Sequence, residues 1–117
     1  MPTTTHIPTL LSAYEAFNAR DIQAALELMT PDVQWPNGME GGYVHGREAV
    51  REYWIRQWQQ INPHVEPVSF DDAPDGRTIV GVSQVVKDMD GNVVLNTTVQ
   101  HVYTITGGGL ISHMEIK

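Results

Sequence analysis

The sequence predicts an α+β fold, and three observations carry that prediction. Apolar residues recur at helical spacing through the first half, segments rich in Val, Ile, Thr and Tyr fill the second half, and the two kinds are segregated rather than alternating. The chain has 117 residues, enough for one core and too few for a second. It contains no internal repeat, linker or low-complexity stretch, so residues 1–117 form a single domain.

Helix one follows from Pro8, which suits a first helical turn, and from Leu10, Tyr14 and Phe17 at i, i+4 and i+7. It ends near Arg20. Asp21 is the N-cap of a short second helix whose stripe is Ile22, Ala25, Leu26 and Met29, closed by Thr30-Pro31. Asp32 to Trp35 leaves room for a short strand, after which Pro36-Asn37-Gly38 and Gly41-Gly42 predict a loop of about ten residues up to Gly46. Helix three runs from Arg47 to Ile61 with Val50, Tyr53, Trp54, Trp58 and Ile61 on one face, and Asn62-Pro63 stops it.

Four strands follow, near 64–70, 78–88, 93–106 and 110–117. Asp75-Gly76, Asp90-Gly91 and Gly107-Gly108-Gly109 separate them, which are turn signals between antiparallel neighbours.

Composition narrows the function classes. Fourteen Asp and Glu against seven Lys and Arg give a net charge of −7, a field that repels phosphate backbones and anionic lipid, so neither nucleic acid nor a membrane surface is expected as a partner. The opening MPTTTHIPTLL lacks a positive n-region, and no run approaches the roughly 18 apolar residues of a membrane span. A cytoplasmic location is expected. The chain has no cysteine, which removes disulfides, thiolate nucleophiles and thiolate metal ligands.

Motifs for the common cofactors and hydrolases are missing: there is no Walker loop, G-x-G-x-x-G, H-E-x-x-H or G-x-S-x-G. Gly107 to Gly109 precedes a strand rather than a helix and reads as a hairpin turn. His6, His45, His64, His101 and His113 form no i,i+2 strand pair and no i,i+4 helix pair, so neither a metal nor a cofactor is expected.

The segment VQHVYTI, residues 99–105, singles out one histidine. By the two-residue period of a strand, Val99, His101, Tyr103 and Ile105 share one face, and Gln100, Val102 and Thr104 the other. A titratable ring thus stands in the more apolar row. Tyr14, Phe17, Trp35, Tyr53, Trp54, Trp58 and Tyr103 also fall on inner faces, as core or as the wall of an apolar pocket.

The runs YEAFNARDIQAALELMTPDVQW, G-x-x-x-x-G-R-E-A-V-R-E-Y-W and VQHVYTI followed by a Gly turn and LISHMEI resemble the SnoaL-like group of the nuclear transport factor 2-like superfamily, which also contains the ketosteroid isomerases. The resemblance covers nearly the whole chain. It implies a cone: a curved, mostly antiparallel sheet closed by three helices around a cavity. Isomerases of that superfamily use a carboxylate base after the first strand, an oxyanion donor on the strand equivalent to 99–105, and often a Tyr donor on helix one. The base position falls on Asn37, which cannot take a proton; the donor position falls on His101, with Tyr14 at or beside the Tyr position.

What the resemblance implies is a cyclase or isomerase that works without a cofactor on an apolar ketone, enone or polyketide-like molecule. His101, Asn37 and Tyr14 would be its polar groups, while Phe17, Trp35, Tyr53, Trp54, Trp58, Val99, Tyr103 and Met114 would line the pocket. A neutral imidazole can donate without any pKa adjustment, or, with a reference pKa of about 6.5, act as the base. The alternative is a ligand-binding or scaffold protein without chemistry. Epoxide opening, which in that superfamily relies on an Asp-Arg-Asp arrangement, has no such triad here. Family habit and the mixed row Thr98, Gln100, Val102 and Thr104 lead to an expected homodimer through the outer face of the sheet.

Overall fold

The computed structural model describes residues 6–37 and 40–117. Helix α1 spans Ile7–Asn18 with Pro8 in its first turn, and α2 spans Ile22–Leu26. Between them Arg20 takes a left-handed φ of 64°, which turns the chain back on itself. Asp21 caps α2 as expected, its carboxylate accepting from the Ala24 N–H at 3.2 Å.

Strand β1, Met29–Pro36, is longer than the sequence suggests, and α2 shorter. Met29 opens β1 rather than closing the helical stripe, because its carbonyl is held by Arg47 Nε at 3.0 Å and its backbone is in register with Ile111. Pro31 is tolerated in this strand because β2 pairs with β1 only over Gln34 to Pro36, so no neighbour asks for its missing N–H. The expected loop is interrupted by β2, Tyr43–His45. Gly41 and Gly42, at φ of 84° and 73°, reverse the chain tightly enough for Tyr43 to meet Pro36.

Helix α3 covers Arg47–Gln60, and β3 (Asn62–Asp72), β4 (Thr78–Lys87), β5 (Val93–Ile105) and β6 (Ile111–Ile116) follow. The six strands form one curved, open sheet in the order β2-β1-β6-β5-β4-β3. Every neighbour pair is antiparallel except β1 with β6. Mixed pairing arises because β1 enters beside the last strand of the chain, before the hairpin succession begins.

All three helices lie against this sheet, α1 on β3, α2 on β1, and α3 on β1, β2 and β3. Leu10 of α1, Val50 of α3, Val33 of β1, Val80 and Val82 of β4 and Ile111 of β6 have no exposed surface. No helix among the described residues is long and apolar enough to cross a membrane.

Candidate functional site

A cavity of about 110 Å³ opens between the helices and the inner face of the sheet. One water needs only about 10–15 Å³ of such space, so this is more than a packing defect. Tyr14 and Phe17 enter from α1, Tyr53, Trp54 and Gln57 from α3, Trp35 and Pro36 from β1, Pro63 and Val65 from β3, Gln84 from β4, His101 and Tyr103 from β5, and Met114 and Ile116 from β6. Among the described residues no Asp, Glu, Lys or Arg lines it.

Three of its side chains form one hydrogen-bonded line. The Tyr103 hydroxyl donates to the Tyr14 hydroxyl at 2.8 Å, and the Tyr14 hydroxyl lies 2.8 Å from His101 Nδ1. The rings are 2%, 5% and 7% exposed for Tyr103, Tyr14 and His101. Tyr14 stacks on His101 at 5.8 Å between centroids and meets Tyr103 edge to face at 6.3 Å.

Tautomer follows from connectivity. The Tyr103 hydroxyl has no other hydrogen-bond partner among the described residues, so its proton goes to Tyr14. Tyr14 then spends its own proton on Nδ1, and the ring proton of His101 resides on Nε2. That nitrogen has no hydrogen-bond partner among the described residues, and the ring lines the cavity.

Burial decides the protonation states. Desolvation pulls His101 down from 6.5 to about 4, so the imidazole is neutral at ordinary working pH. Burial pushes both phenols well above the usual tyrosine value, and for Tyr14 the neighbouring Tyr103 adds to the shift. The site is therefore an uncharged donor–acceptor line inside an aromatic wall.

Of the residues singled out from the sequence, most line this cavity and three stand elsewhere. Trp58 stays outside the cavity, because it stands one helical turn beyond Trp54; it stacks on the Trp54 ring at 5.7 Å, meets Phe17 at 5.4 Å and lies under the Arg20 guanidinium at 4.8 Å. Val99 is on the expected strand face but two residues beyond His101, opposite Val82, and packs half-buried against the core. Asn37 is buried yet does not line the cavity. Its amide organises the turn after β1, with Nδ2 donating to Glu40 at 2.9 Å and Oδ1 accepting from the Glu40 N–H at 2.8 Å.

Gln57 and Gln84 are lining residues that the sequence reading passes over. Each was reachable by period: Gln57 follows Tyr53 at i+4, and Gln84 continues the inward row of Val80 and Val82. Gln57 Nε2 donates to the Tyr53 hydroxyl at 3.2 Å. Among the described residues no group of three His, Asp or Glu is placed to hold a metal ion.

Known structures share this architecture. TerC, crystallised together with polyporic acid, is 27% identical with a TM-score of 0.82, over 96% of this chain and 89% of that one. An NTF2-like protein of unknown function from Burkholderia pseudomallei is 26% identical with a TM-score of 0.82, over 96% and 88%. SalBIII, an epoxide hydrolase/cyclase-like enzyme of pyran ring formation in polyether salinomycin, shares the fold at 20% identity, TM-score 0.81, over 97% and 89%. No curated protein matches the sequence. A family model for the SnoaL-like domain matches residues 11–114, and the chain belongs to that family, with the NTF2-like fold.

Proposed function

We propose that this protein is a cyclase- or isomerase-type enzyme, working without a cofactor, that takes an apolar ketone, enone or polyketide-like molecule into the cavity. The observation that carries the reading is the Tyr103–Tyr14–His101 line, which presents one polarised N–H to an uncharged, largely aromatic chamber. As a carbon-bound proton leaves to a solvent water and negative charge develops on the carbonyl oxygen, His101 Nε2–H stabilises that oxygen, and the two phenols behind the ring take up part of the shift. Trp35, Trp54 and Phe17 shape the space for the ligand. TerC crystallised with polyporic acid, and SalBIII as a cyclase-like enzyme, support a small organic ligand for this fold.

A second reading, a ligand-binding protein without chemistry, is favoured by one specific observation: the cavity holds no carboxylate among the described residues, and its single imidazole is a weak base. Incubating the protein with a panel of cyclic enones and aryl ketones in D₂O separates the two. Exchange of the carbon-bound hydrogen, lost on His101→Phe, supports the enzyme. Tight binding with no exchange and no product leaves only the binding protein.

A second copy of the chain is the macromolecular partner we propose, on the outer side of the sheet. Val102, expected to offer apolar surface there, is only 2% exposed, while Tyr43 is 42% exposed. The apolar surface of that side lies away from the centre of the 99–105 strand.

A further inference from the structure

β4 flanks β5 along nearly its whole length, but β6 reaches only as far as Gln100, which exchanges both backbone hydrogen bonds with Lys117 at 2.8 and 3.1 Å. Among the described residues, 93–99 therefore have an open edge. Because Gln100 bonds toward β6, strand alternation turns the N–H and C=O of Asn96 and Thr98 to that same side. The segment is also exposed: Val93, Val94 and Leu95 are 55%, 59% and 45% accessible.

The other edges of the sheet are blunted in ways that discourage strand addition. β2 is three residues long. β3 carries Pro63 and Pro67, a register shift between Pro67 and Ser69, and the Asn18 side chain, which donates to the Val65 carbonyl at 2.7 Å and accepts from its N–H at 3.0 Å. In its pairing with β4, β5 has one register shift, opposite Val86 and Lys87. Beyond it, residues 95–99 read Leu-Asn-Thr-Thr-Val, regular, with β-branched Thr97, Thr98 and Val99, without proline and without a charge, in a chain of net charge −7.

We propose that this edge of β5 pairs antiparallel with the same edge of a second copy, about a two-fold axis close to Asn96 and Thr97. This inference rests on the homodimer reading above and moves the contact from the outer face to one edge. Self-pairing fits the segment: an antiparallel copy sets β-branched side chains against each other, brings no like charges together, and closes as a dimer instead of propagating. A foreign strand would need a charge or a side-chain pocket to be selected, and the segment offers neither.

Sedimentation velocity of the full chain at micromolar concentration, beside Asn96→Pro and Thr97→Lys, tests the pairing. Proline at 96 removes a donor that faces the open edge and leaves the β4 ladder intact; lysine at 97 sets like charges across the axis if the proline variant misfolds. The expected result is a dimeric wild type and monomeric variants with unchanged far-ultraviolet circular dichroism. Variants that stay dimeric overturn edge pairing and leave the outer-face dimer standing. A monomeric wild type overturns both.

Discussion

The Tyr14 hydroxyl meets His101 Nδ1 at 2.8 Å although 87 residues separate the two in sequence. This contact joins helix α1 to strand β5 through the cavity wall, so the protonation of one ring bears on the stability of the whole domain. Unfolding returns His101 to its ordinary pKa near 6.5, while the folded state holds it at about 4. Between those values the unfolded chain binds the proton and the folded chain does not. The ring's contribution is complete above pH 6.5 and drains away as pH falls toward 4, by up to roughly 3 kcal/mol. Urea titrations from pH 7.5 to 4.5 check this: wild type should lose more stability on acidification than His101→Phe, and parallel pH curves would refute it.

The tautomer is open to direct observation. In wild type, imidazole ¹⁵N chemical shifts should report a proton on Nε2 and a bare, hydrogen-bonded Nδ1 throughout pH 6 to 8. Tyr14→Phe removes the donor to Nδ1, so the two nitrogen shifts should move toward each other as tautomers mix. Shifts unchanged by Tyr14→Phe would mean that some other group fixes the ring. Tyr103→Phe keeps the donation to Nδ1 and should preserve the tautomer, at a stability cost of about 1 kcal/mol for the lost buried hydrogen bond.

The sequence exposed the fold where pattern and punctuation agree. Glycine turns bracket β4, β5 and β6, and two-residue alternation puts His101 and Tyr103 on the inner face; each reading needs only local information. Met29 and Pro31 mislead for the opposite reason, since helix and strand compete for them locally and the decision is made by β6 and Arg47, distant in sequence. The resemblance to the SnoaL-like group implies a cavity, but position along the chain does not separate a residue beside it from a residue in it. Asn37 is the example: its amide is spent on Glu40 in a tight turn, and that turn is invisible to matching by position. Trp58 is another, because a helical stripe wider than the cavity mixes lining with packing.

Arg20 is the residue whose importance no pattern announces. Its backbone is left-handed at φ 64°, its guanidinium donates to the Phe17 carbonyl at 3.2 Å, the Pro63 carbonyl at 2.7 Å and Asn62 Oδ1, and it lies over the Phe17 and Trp58 rings. It therefore clamps Phe17 and Pro63, two cavity-lining residues, from behind. Arg20→Ala removes these contacts and keeps the strained backbone, and should cost about 2 kcal/mol. Arg20→Gly loses the same contacts but accepts positive φ freely, so it should be the more stable of the two by about 1 kcal/mol. Thermal unfolding of the two variants decides it; the reverse order would remove backbone strain from the account.

Gly81 tests how β3 and β4 are fitted together. A Cβ built there would collide with the Ser69 hydroxyl, at the residue pair that follows the register shift between Pro67 and Ser69. The rest of its surroundings are at ordinary contact, with Ser69 Cβ and Val68 Cγ2 both 3.6 Å away. The obstacle is thus one oxygen, and Gly81→Ala otherwise gains by restricting the unfolded chain, an effect of about 0.4–1 kcal/mol. Alone it should destabilise, by roughly 1 kcal/mol, because Ser69 must leave its rotamer. Combined with Ser69→Ala it should become neutral or stabilising, giving a coupling energy of at least about 1 kcal/mol in a double-mutant cycle measured by urea unfolding. Additive effects would show that backbone approach, and not the serine hydroxyl, reserves this position for glycine.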